Sequence, residues 1–282
     1  MTAEISLTVT LAVLGAAFLH ALWNALVKAS AGEPILDTAL VVAGSTLVSL
    51  PMLPFVPLPD PSAWPYALAS MVVHFAYYLL LASAYRHGDL SFAYPLMRGA
   101  APLLVVLLGI AFLGEHPSPM ALTGIVLICA GILAIAWFGA RRHTAMATGY
   151  ALANAAVIAT YTLIDGTGAR TAGNALSYAF WLMALEGIPF LLWIVWLRGR
   201  PAVHYLAQRW RRGMLAGVAS VGAYAIALWA MTQAPVAVVA ALREVSVVFA
   251  VLIGGLFMKE RVGWRRLAGA IGVAAGVAAL RM

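Results

Sequence analysis

The sequence predicts an all-α integral membrane protein whose ten transmembrane helices form two inverted five-helix repeats. Three observations lead to this fold class. Hydrophobic residues make up 64% of the 282 positions and charged residues only 10%, whereas about 25% of an ordinary soluble domain is charged. Long apolar runs recur along the chain, and the second half repeats residues of the first. A soluble enzyme, a nucleic-acid-binding protein and a disordered chain are therefore disfavoured.

Each apolar run has about the length that a helix needs to cross a bilayer, roughly 20 residues. The runs are apolar throughout, whereas the strands of a transmembrane barrel alternate apolar and polar residues, so helix is the predicted state. The first run contains His20, Trp23 and Asn24 and follows a segment without Lys or Arg, which favours a first span over a cleaved signal peptide. The predicted spans are 7–28, 36–54, 64–86, 91–113, 119–139, 147–165, 175–197, 213–232, 236–258 and 264–280.

The positions of lysine and arginine predict the topology. The net charge of +7 would suggest nucleic-acid binding in a polar protein, but in a membrane protein it marks cytoplasmic connectors. Only Arg170 and Arg281 fall on the side of the even-numbered connectors and the termini. Because positive residues stay cytoplasmic, both termini are predicted to be external. The longest connector, 198–212, is predicted to be a surface loop or an interfacial helix. The odd-numbered, cytoplasmic connectors hold Lys28, Arg86, Arg141, Arg142, Arg198, Arg200, Arg209, Arg211, Arg212, Lys259, Arg261, Arg265 and Arg266.

An internal repeat divides the chain into residues 1–140 and 147–282, with five spans in each part. A shift of 145 residues superimposes Arg98 on Arg243 and Glu115 on Glu260, and matched charges carry weight where charged residues are scarce. Because the number of spans per half is odd, the second half inserts upside down. Inverted repeats are typical of transporters, whose substrate site lies between the halves near the membrane midplane. The same shift also pairs Gly109 with Gly254, Phe112 with Phe257, Leu122 with Leu267, Gly124 with Gly269 and Gly131 with Gly276.

Short motifs within the two halves resemble a known superfamily. The fourth and ninth spans end in 112–115 (FLGE) and 257–260 (FMKE), each before a glycine-rich helix, and the first span carries 20–28 (HALWNALVK). Over essentially the whole chain these features resemble the drug/metabolite transporter superfamily, EamA type. The resemblance implies ten helices, two EamA repeats and movement of small metabolites across the bacterial inner membrane, and one branch exports aromatic amino acids. Many members are drawn with cytoplasmic termini, whereas the charge distribution here predicts external ones.

Two arginines lie inside predicted spans. Arg98 and Arg243 each sit about seven residues into their spans, roughly 10 Å along the helix axis. An arginine within a span costs at least about 2.5 to 3.5 kcal/mol on insertion scales, so both are candidates for substrate binding. Inverted halves would place Arg98 near the cytoplasmic mouth of a central path and Arg243 near the external mouth. The alternative is structural: either arginine pairs with a carboxylate, or Arg243 snorkels to water.

Glu186 is predicted to be the deepest acidic residue and is the candidate for proton coupling. It lies at the middle of the seventh span, and Pro189 interrupts the helix hydrogen bonding just after it. A buried carboxylate loses hydration in its charged form, which suits a group that binds and releases a proton. The alternative is a salt bridge with Arg98 or Arg243.

Polar aromatic residues inside the spans are candidates to line a substrate path, the alternative being plain packing. His74 and Tyr78 lie four residues apart and share a helix face. Their π faces and polar edges suit a ligand with an apolar part and a cationic or amide part. Asn24 shares a face with Lys28, and together they could bind a carboxylate, unless Lys28 only marks the cytoplasmic end. The other aromatic candidates are Tyr77, Tyr94, Tyr161, Tyr178, Trp181, Tyr224 and Trp229.

Two acidic residues and a group of glycines are predicted to be structural. Glu115 and Glu260 close the fourth and ninth spans, where a carboxylate can cap the free amides of the helix that follows. Gly272 and Gly276 form a small-xxx-small pair that serves helix packing or dimerisation. Close packing is also predicted for Gly124, Gly131 and Gly269.

These observations predict a secondary transporter that works by alternating access and moves a small carboxylate-bearing metabolite, with an amino acid as the first expectation. Export and the bacterial inner membrane follow from the resemblance. The expected energy source is the substrate gradient or protons through Glu186. The residues predicted to bind substrate are Asn24, His74, Tyr78, Tyr94, Arg98, Tyr161, Trp181 and Arg243.

Other functions and partners follow less well from the residues. Without hydrolase, P-loop or metal-ligand motifs, neither a metal nor a cofactor is expected, and an intramembrane enzyme is disfavoured. A channel would need a more continuous polar lining. A uniporter or exchanger of another organic anion or a drug-like compound stays open. The expected partners are the substrate and the lipid bilayer, without nucleic acid, and the chain is expected to be a monomer or a homodimer.

Overall fold

A computed structural model describes residues 5–28, 32–88, 90–139, 144–257 and 263–280. All regular secondary structure in these ranges is helical. The first half contains α1 (Leu7–Lys28), α2 (Pro34–Ser49), α3 (Trp64–His87), α4 (Leu90–Leu113) and α5 (Pro119–Gly139). The second half contains α6 (Ala145–Thr171), α7 (Ala175–Arg198), α8 (Arg200–Gln208), α9 (Trp210–Met231), α10 (Val236–Arg243), α11 (Ser246–Phe257) and α12 (Trp264–Ala279).

The structure confirms a multi-pass helical membrane protein. Nine helical segments among the described residues are long and apolar enough to cross a membrane. The tenth predicted span coincides with a shorter apolar helix, Leu267–Ala279. The predicted span 236–258 is not one continuous helix, because it is divided into α10 and α11. The connector 198–212 contains the short helix α8, in line with the interfacial helix that was one of its two predicted forms.

Local sequence explains where several helices begin. The side chains of Thr144 and Asn174 accept hydrogen bonds from backbone amides three residues later, at 3.1 and 3.0 Å, and so cap α6 and α7. Before α3, the backbone and hydroxyl of Ser62 donate to Asp60 Oδ1 at 2.9 and 2.7 Å, and these bonds lower the pKa of this exposed carboxyl. Prolines occupy the first turns of α2 and α3, where no amide donor is needed.

Contacts between connectors separate the two sides of the membrane domain. We call the side that holds residues 32–33, 88, 144 and 198–210 the basic side, and the side that holds residues 49–64, 113–119, 171–175 and 231–236 the opposite side. On the basic side, Thr144 donates to the carbonyl of His87 at 3.0 Å, Arg198 pairs with Glu33, and Tyr205 donates to Asp37. On the opposite side, the amide of Asp60 donates to the carbonyl of Ala172 at 3.2 Å, Ser177 donates to the carbonyl of Pro57, and Arg170 pairs with Glu115 at 3.0 Å.

Several helix contacts have a counterpart when the two halves are exchanged, although the extent of some pairs differs. The contact of α3 with α6 corresponds to that of α9 with α1, and α4 with α6 corresponds to α1 with α10 and α11. The contact of α2 with α9 likewise corresponds to that of α7 with α3. Because α2 is equivalent to α7 and α5 to α12, exchanging the halves maps the α2–α7 contact and the α5–α12 contact each onto itself. Two structurally related halves would pack in this way.

Glycines allow the closest helix crossings. The predicted packing glycines of α5 and α12 face one another within the chain: a Cβ on Gly131 would lie 2.7 Å from the carbonyl oxygen of Gly269, and one on Gly276 would lie 2.7 Å from that of Gly124. The crossing of α2 and α9 is tighter still, because a Cβ on Gly44 would lie 1.9 Å from the carbonyl oxygen of Gly213. Helix packing inside one chain therefore uses these glycines.

We expect Gly44→Ala to destabilise the protein by about 1 to 3 kcal/mol, because α2 and α9 must separate to admit a methyl group. The measurement is thermal unfolding of the purified protein in detergent. Gly15→Ala is the matched control, since a Cβ there would meet nothing within 4 Å. Equal unfolding temperatures for the two variants would contradict the close crossing.

Candidate functional site

A cavity of about 360 Å³ lies among α1, α2, α3, α4, α6, α7, α9 and α10. It reaches exposed Pro34 and buried Asp37 in the first turn of α2, at the basic side. Its deepest lining residues, including Glu186 and Arg243, lie near the middle of the membrane domain. The lining includes Gly32 and Pro34 at the basic side but no residue of the opposite-side connectors, so the cavity opens toward the basic side.

Among the described residues, one arginine of the cavity has an ion-pair partner and the other has none. The Nε of Arg98 lies 2.7 Å from Oε2 of Glu244, and both side chains are buried. Arg243 is also buried, with 9% of its surface exposed, yet the described part of the chain offers its guanidinium no ion-pair partner. Its guanidinium carbon lies 5.4 Å from the ring centre of Tyr224. Arg243 therefore presents a cation to the cavity.

A break in the ninth predicted span explains how adjacent charged residues point apart. α10 ends at Arg243, Glu244 and Val245 form a tight turn, and α11 begins at Ser246. Glu244 turns toward α4, where it meets Arg98, while Arg243 faces the cavity. The two arginines, expected near opposite mouths, line the same cavity, because both lie at mid-depth. Interrupted helices with free half-helix ends are typical of transporter substrate sites.

Glu186 has hydrogen-bonding partners rather than an arginine partner. The hydroxyl of Tyr78 donates to its Oε1 at 3.1 Å, and Nδ1 of His74 lies 3.3 Å from its Oε2. The imidazole of His74 stacks on Tyr161 with ring centres 4.1 Å apart. The alternative of a salt bridge from Glu186 to Arg98 or Arg243 is therefore wrong for the described residues. A carboxylate, an imidazole and phenols from both halves meet here.

Among the described residues, the most buried acidic residue is Asp165. Asp165 has no exposed surface, whereas Glu186 is 6% exposed. Tyr178 donates to Oδ1 of Asp165 at 3.2 Å, and Tyr224 donates to its Oδ2. Sequence reasoning ended the sixth span at Asp165, but α6 continues to Thr171 and places this carboxyl inside the membrane domain. The Asn174 cap that starts α7 was the signal that could have extended the span.

The structure brings most of the predicted site residues together. Trp181 is the exception: it does not line the cavity, and its indole lies against Trp64 with ring centres 5.3 Å apart. The amide nitrogen of Asn24 donates to the carbonyl of His20 at 2.8 Å. The side chain of Lys28 is not among those that the structure describes. The predicted residues that line the cavity are Asn24, His74, Tyr78, Tyr94, Arg98, Tyr161, Glu186 and Arg243.

Sequence reasoning missed several lining residues. Tyr85 continues the aromatic face of α3 beyond the candidate Tyr77, toward the basic side. Asp37 lies at the cavity mouth, where Tyr205 of α8 donates to its carboxylate. The spacing of Tyr77, Leu81 and Tyr85 was the available signal on α3, whereas nothing local distinguished Asp37. The missed lining residues with polar side chains include His20, Asp37, Tyr85 and Ser220. The aromatic candidates Tyr77 and Tyr224 also line the cavity, whereas Tyr178 and Trp229 do not.

Comparison with known families decides which group of proteins this chain belongs to. The model of the EamA-like transporter family matches residues 7–137 and, a second time, residues 146–282. The chain belongs to the EamA-like transporter family. The family consists of membrane transporters of small solutes, which agrees with the function class expected from the sequence. Residues 258–260 of the second FMKE motif lie outside the described residues.

Comparison with solved structures shows that this EamA-like chain shares its fold with another protein. A solved structure described as a crystal structure of a protein is similar with a TM-score of 0.76 and 20% sequence identity, and the match covers 96% of this chain and 94% of that chain. At this identity the likeness shows the fold alone. Comparison with curated proteins finds no match.

The lining chemistry of this EamA-like cavity suits a small polar molecule with an anionic group. Arg243 supplies a cation. Glu186 can accept a hydrogen bond or donate a proton, and the tyrosines provide flat apolar faces with hydroxyl groups at their edges. Among the described residues, no group of three His, Cys, Asp or Glu side chains could hold a metal ion.

Proposed function

We propose that this EamA-like chain is a secondary transporter that carries an amino acid across the bacterial inner membrane by alternating access. The observation that carries the proposal is Arg243, a buried cation that faces the cavity without an ion-pair partner in the described chain. An arginine inside a span costs at least about 2.5 to 3.5 kcal/mol. A substrate carboxylate would offset this cost through two parallel, charge-assisted hydrogen bonds.

The other walls of the cavity suit the rest of an amino acid. The carboxylate of Glu186 and the hydroxyl of Tyr78 provide acceptors for an ammonium group. Tyr77, Tyr94 and Tyr161 provide faces for an apolar or aromatic side chain. A volume of about 360 Å³ is at the small end of the range of ligand pockets, which favours a metabolite over a large drug. Asn24 and Arg98 complete the proposed binding set.

Three features support alternating access between inverted halves. Several helix pairs correspond when the halves are exchanged, the ninth predicted span is broken beside Arg243, and the cavity lining includes the basic side but no opposite-side connector. We assign the repeats to 1–140 and 147–282, the basic side to the cytoplasm and both termini to the outside. In this orientation the cavity faces the cytoplasm, as an exporter that loads its substrate there requires. Glu186 is the proposed proton carrier.

The proposal predicts saturable flux of at least one amino acid in proteoliposomes. The measurement is uptake of radiolabelled Phe, Trp, Thr and Met, with and without an imposed pH gradient, against protein-free liposomes. Competition by unlabelled substrate separates a carrier from a leak. Flux of none of the amino acids in vesicles that hold folded protein would contradict the amino acid assignment. Other organic anions, which Arg243 could also bind, would then be tested in the same vesicles.

A further inference from the structure

Glu115 connects the two halves on the opposite side. It was expected to cap the helix that follows it, α5, but its carboxylate instead accepts hydrogen bonds from the backbone amides of Val236 and Ala237, at 2.9 and 3.4 Å. These are the first residues of α10, in the other half of the chain. Orphan amides and the helix dipole favour a carboxylate at this position. Glu115 is therefore the N-terminal cap of the helix that ends in Arg243.

Arg170, at the end of α6, extends this contact to a third element. Its Nη2 lies 3.0 Å from Oε1 of Glu115. The same guanidinium donates to the carbonyls of Met231 and Ala234, at 2.8 and 3.0 Å. Met231 ends α9, and Ala234 lies in the turn that leads into α10. Glu115 and Arg170 thus join the α4–α5 connector, the end of α6 and the α9–α10 turn, and we call this group the opposite-side latch.

The latch lies on the side to which the cavity does not open. Between the latch and the cavity runs α10, whose eight residues are all buried. The helix spans about 11 Å from its first residue to Arg243 at 1.5 Å per residue. A movement of the capped end is passed on to Arg243, because a short helix moves as a rigid unit.

We propose that Glu115 is a positioning residue: through α10 it places Arg243 in the cavity, and with Arg170 it holds the opposite side closed while the basic side is open. This proposal goes beyond the proposed function because it assigns closure of the opposite side to Glu115 and Arg170. Only its consequence for flux rests on the proposed function. Opening toward the opposite side requires the latch to break, since its members belong to elements from both halves.

The closure can be tested by cysteine accessibility, which needs no substrate. The native Cys129, which is buried, is replaced by Ala, and Ala240→Cys is introduced as the reporter. Ala240 is 7% exposed and is not a lining residue of the cavity. Labelling by a membrane-impermeant maleimide is measured in nanodiscs for Arg170→Ala and Glu115→Gln. We expect the labelling rate to rise roughly tenfold in both, because charge-assisted hydrogen bonds of the closed state are lost.

Controls separate the latch from general loosening of the fold. Arg198→Ala removes the ion pair of Arg198 with Glu33 on the basic side and is expected to leave the labelling rate of Ala240→Cys unchanged. Ser220→Cys, in the cavity lining, should be labelled in every variant that folds. Glu115→Asp, which keeps the charge, should restore slow labelling at Ala240→Cys.

Two outcomes would overturn the proposal. The first is that the Arg170→Ala and Glu115→Gln variants are labelled at the wild-type rate although they unfold at the wild-type temperature. The second is an equal rise in Arg198→Ala, which would indicate non-specific loosening. In flux assays, Glu115→Gln should raise KM because Arg243 is displaced, whereas Arg170→Ala, which keeps the cap, should mainly change the maximal rate. Because labelling is independent of flux, failure of the amino acid assignment would not be mistaken for failure of the latch.

Discussion

Arg243→Gln is expected to lower amino acid flux by roughly a hundredfold, the loss that corresponds to removing one buried, charge-assisted contact with a substrate carboxylate. The variant should fold, because the described structure gives the Arg243 guanidinium no carboxylate partner that its removal would leave unpaired. The neutral amide is shorter than the guanidinium side chain, stays polar and cannot neutralise an anion. Flux of radiolabelled amino acids in proteoliposomes is the measurement, with unfolding temperature as the check on folding.

Two other arginines serve as controls for this prediction. Arg198→Gln removes an exposed arginine of the basic side and should leave flux unchanged. Arg98→Gln leaves the buried Glu244 without its partner and should destabilise the protein by about 3 to 5 kcal/mol. Wild-type flux in Arg243→Gln would show that the substrate does not use this cation, and the proposed binding mode would be wrong.

Glu186→Gln is expected to abolish the response of flux to a pH gradient while flux down a substrate gradient continues. The reason lies in the partners of the carboxyl. Tyr78 donates to its Oε1, and His74, which lies 3.3 Å from its Oε2, can donate or accept according to its own proton. Asp165 and Tyr178 also face this cluster. Neutral Gln preserves the shape of the site but cannot gain or lose a proton.

The measurement is accumulation of labelled substrate with and without an imposed pH gradient, at equal protein content per vesicle. Glu33→Gln, an exposed carboxylate of the basic side, is the matched control and should retain the wild-type response. Accumulation by Glu186→Gln that follows the pH gradient as in wild type would remove the proton role from Glu186. Asp165→Asn would then be measured, since Asp165 is the other buried carboxyl near His74.

Much of the helical architecture could be predicted from the sequence because it depends on local properties. A run of about 20 apolar residues has one stable backbone state in a bilayer, so the predicted spans 7–28 and 119–139 coincide with α1 and α5. Errors arose where polar residues continue a helix or where a helix breaks within an apolar run. Asp165 was treated as a span end although α6 continues past it, and the turn at Glu244 and Val245 lies within an apolar run.

The sequence by itself determined the membrane class and most helix limits, because both follow from the length of the apolar runs. It also singled out the few charged and polar aromatic residues inside the spans, because a charged side chain is costly to bury in lipid. Only the tertiary structure decided how those residues are paired: Arg98 with Glu244, Glu186 with Tyr78 and His74, Asp165 with two tyrosines, and Glu115 with the start of α10. Many of these partners lie on different helices far apart in the chain. Their distances depend on how the helices cross and where one of them breaks, which no local pattern of residues contains.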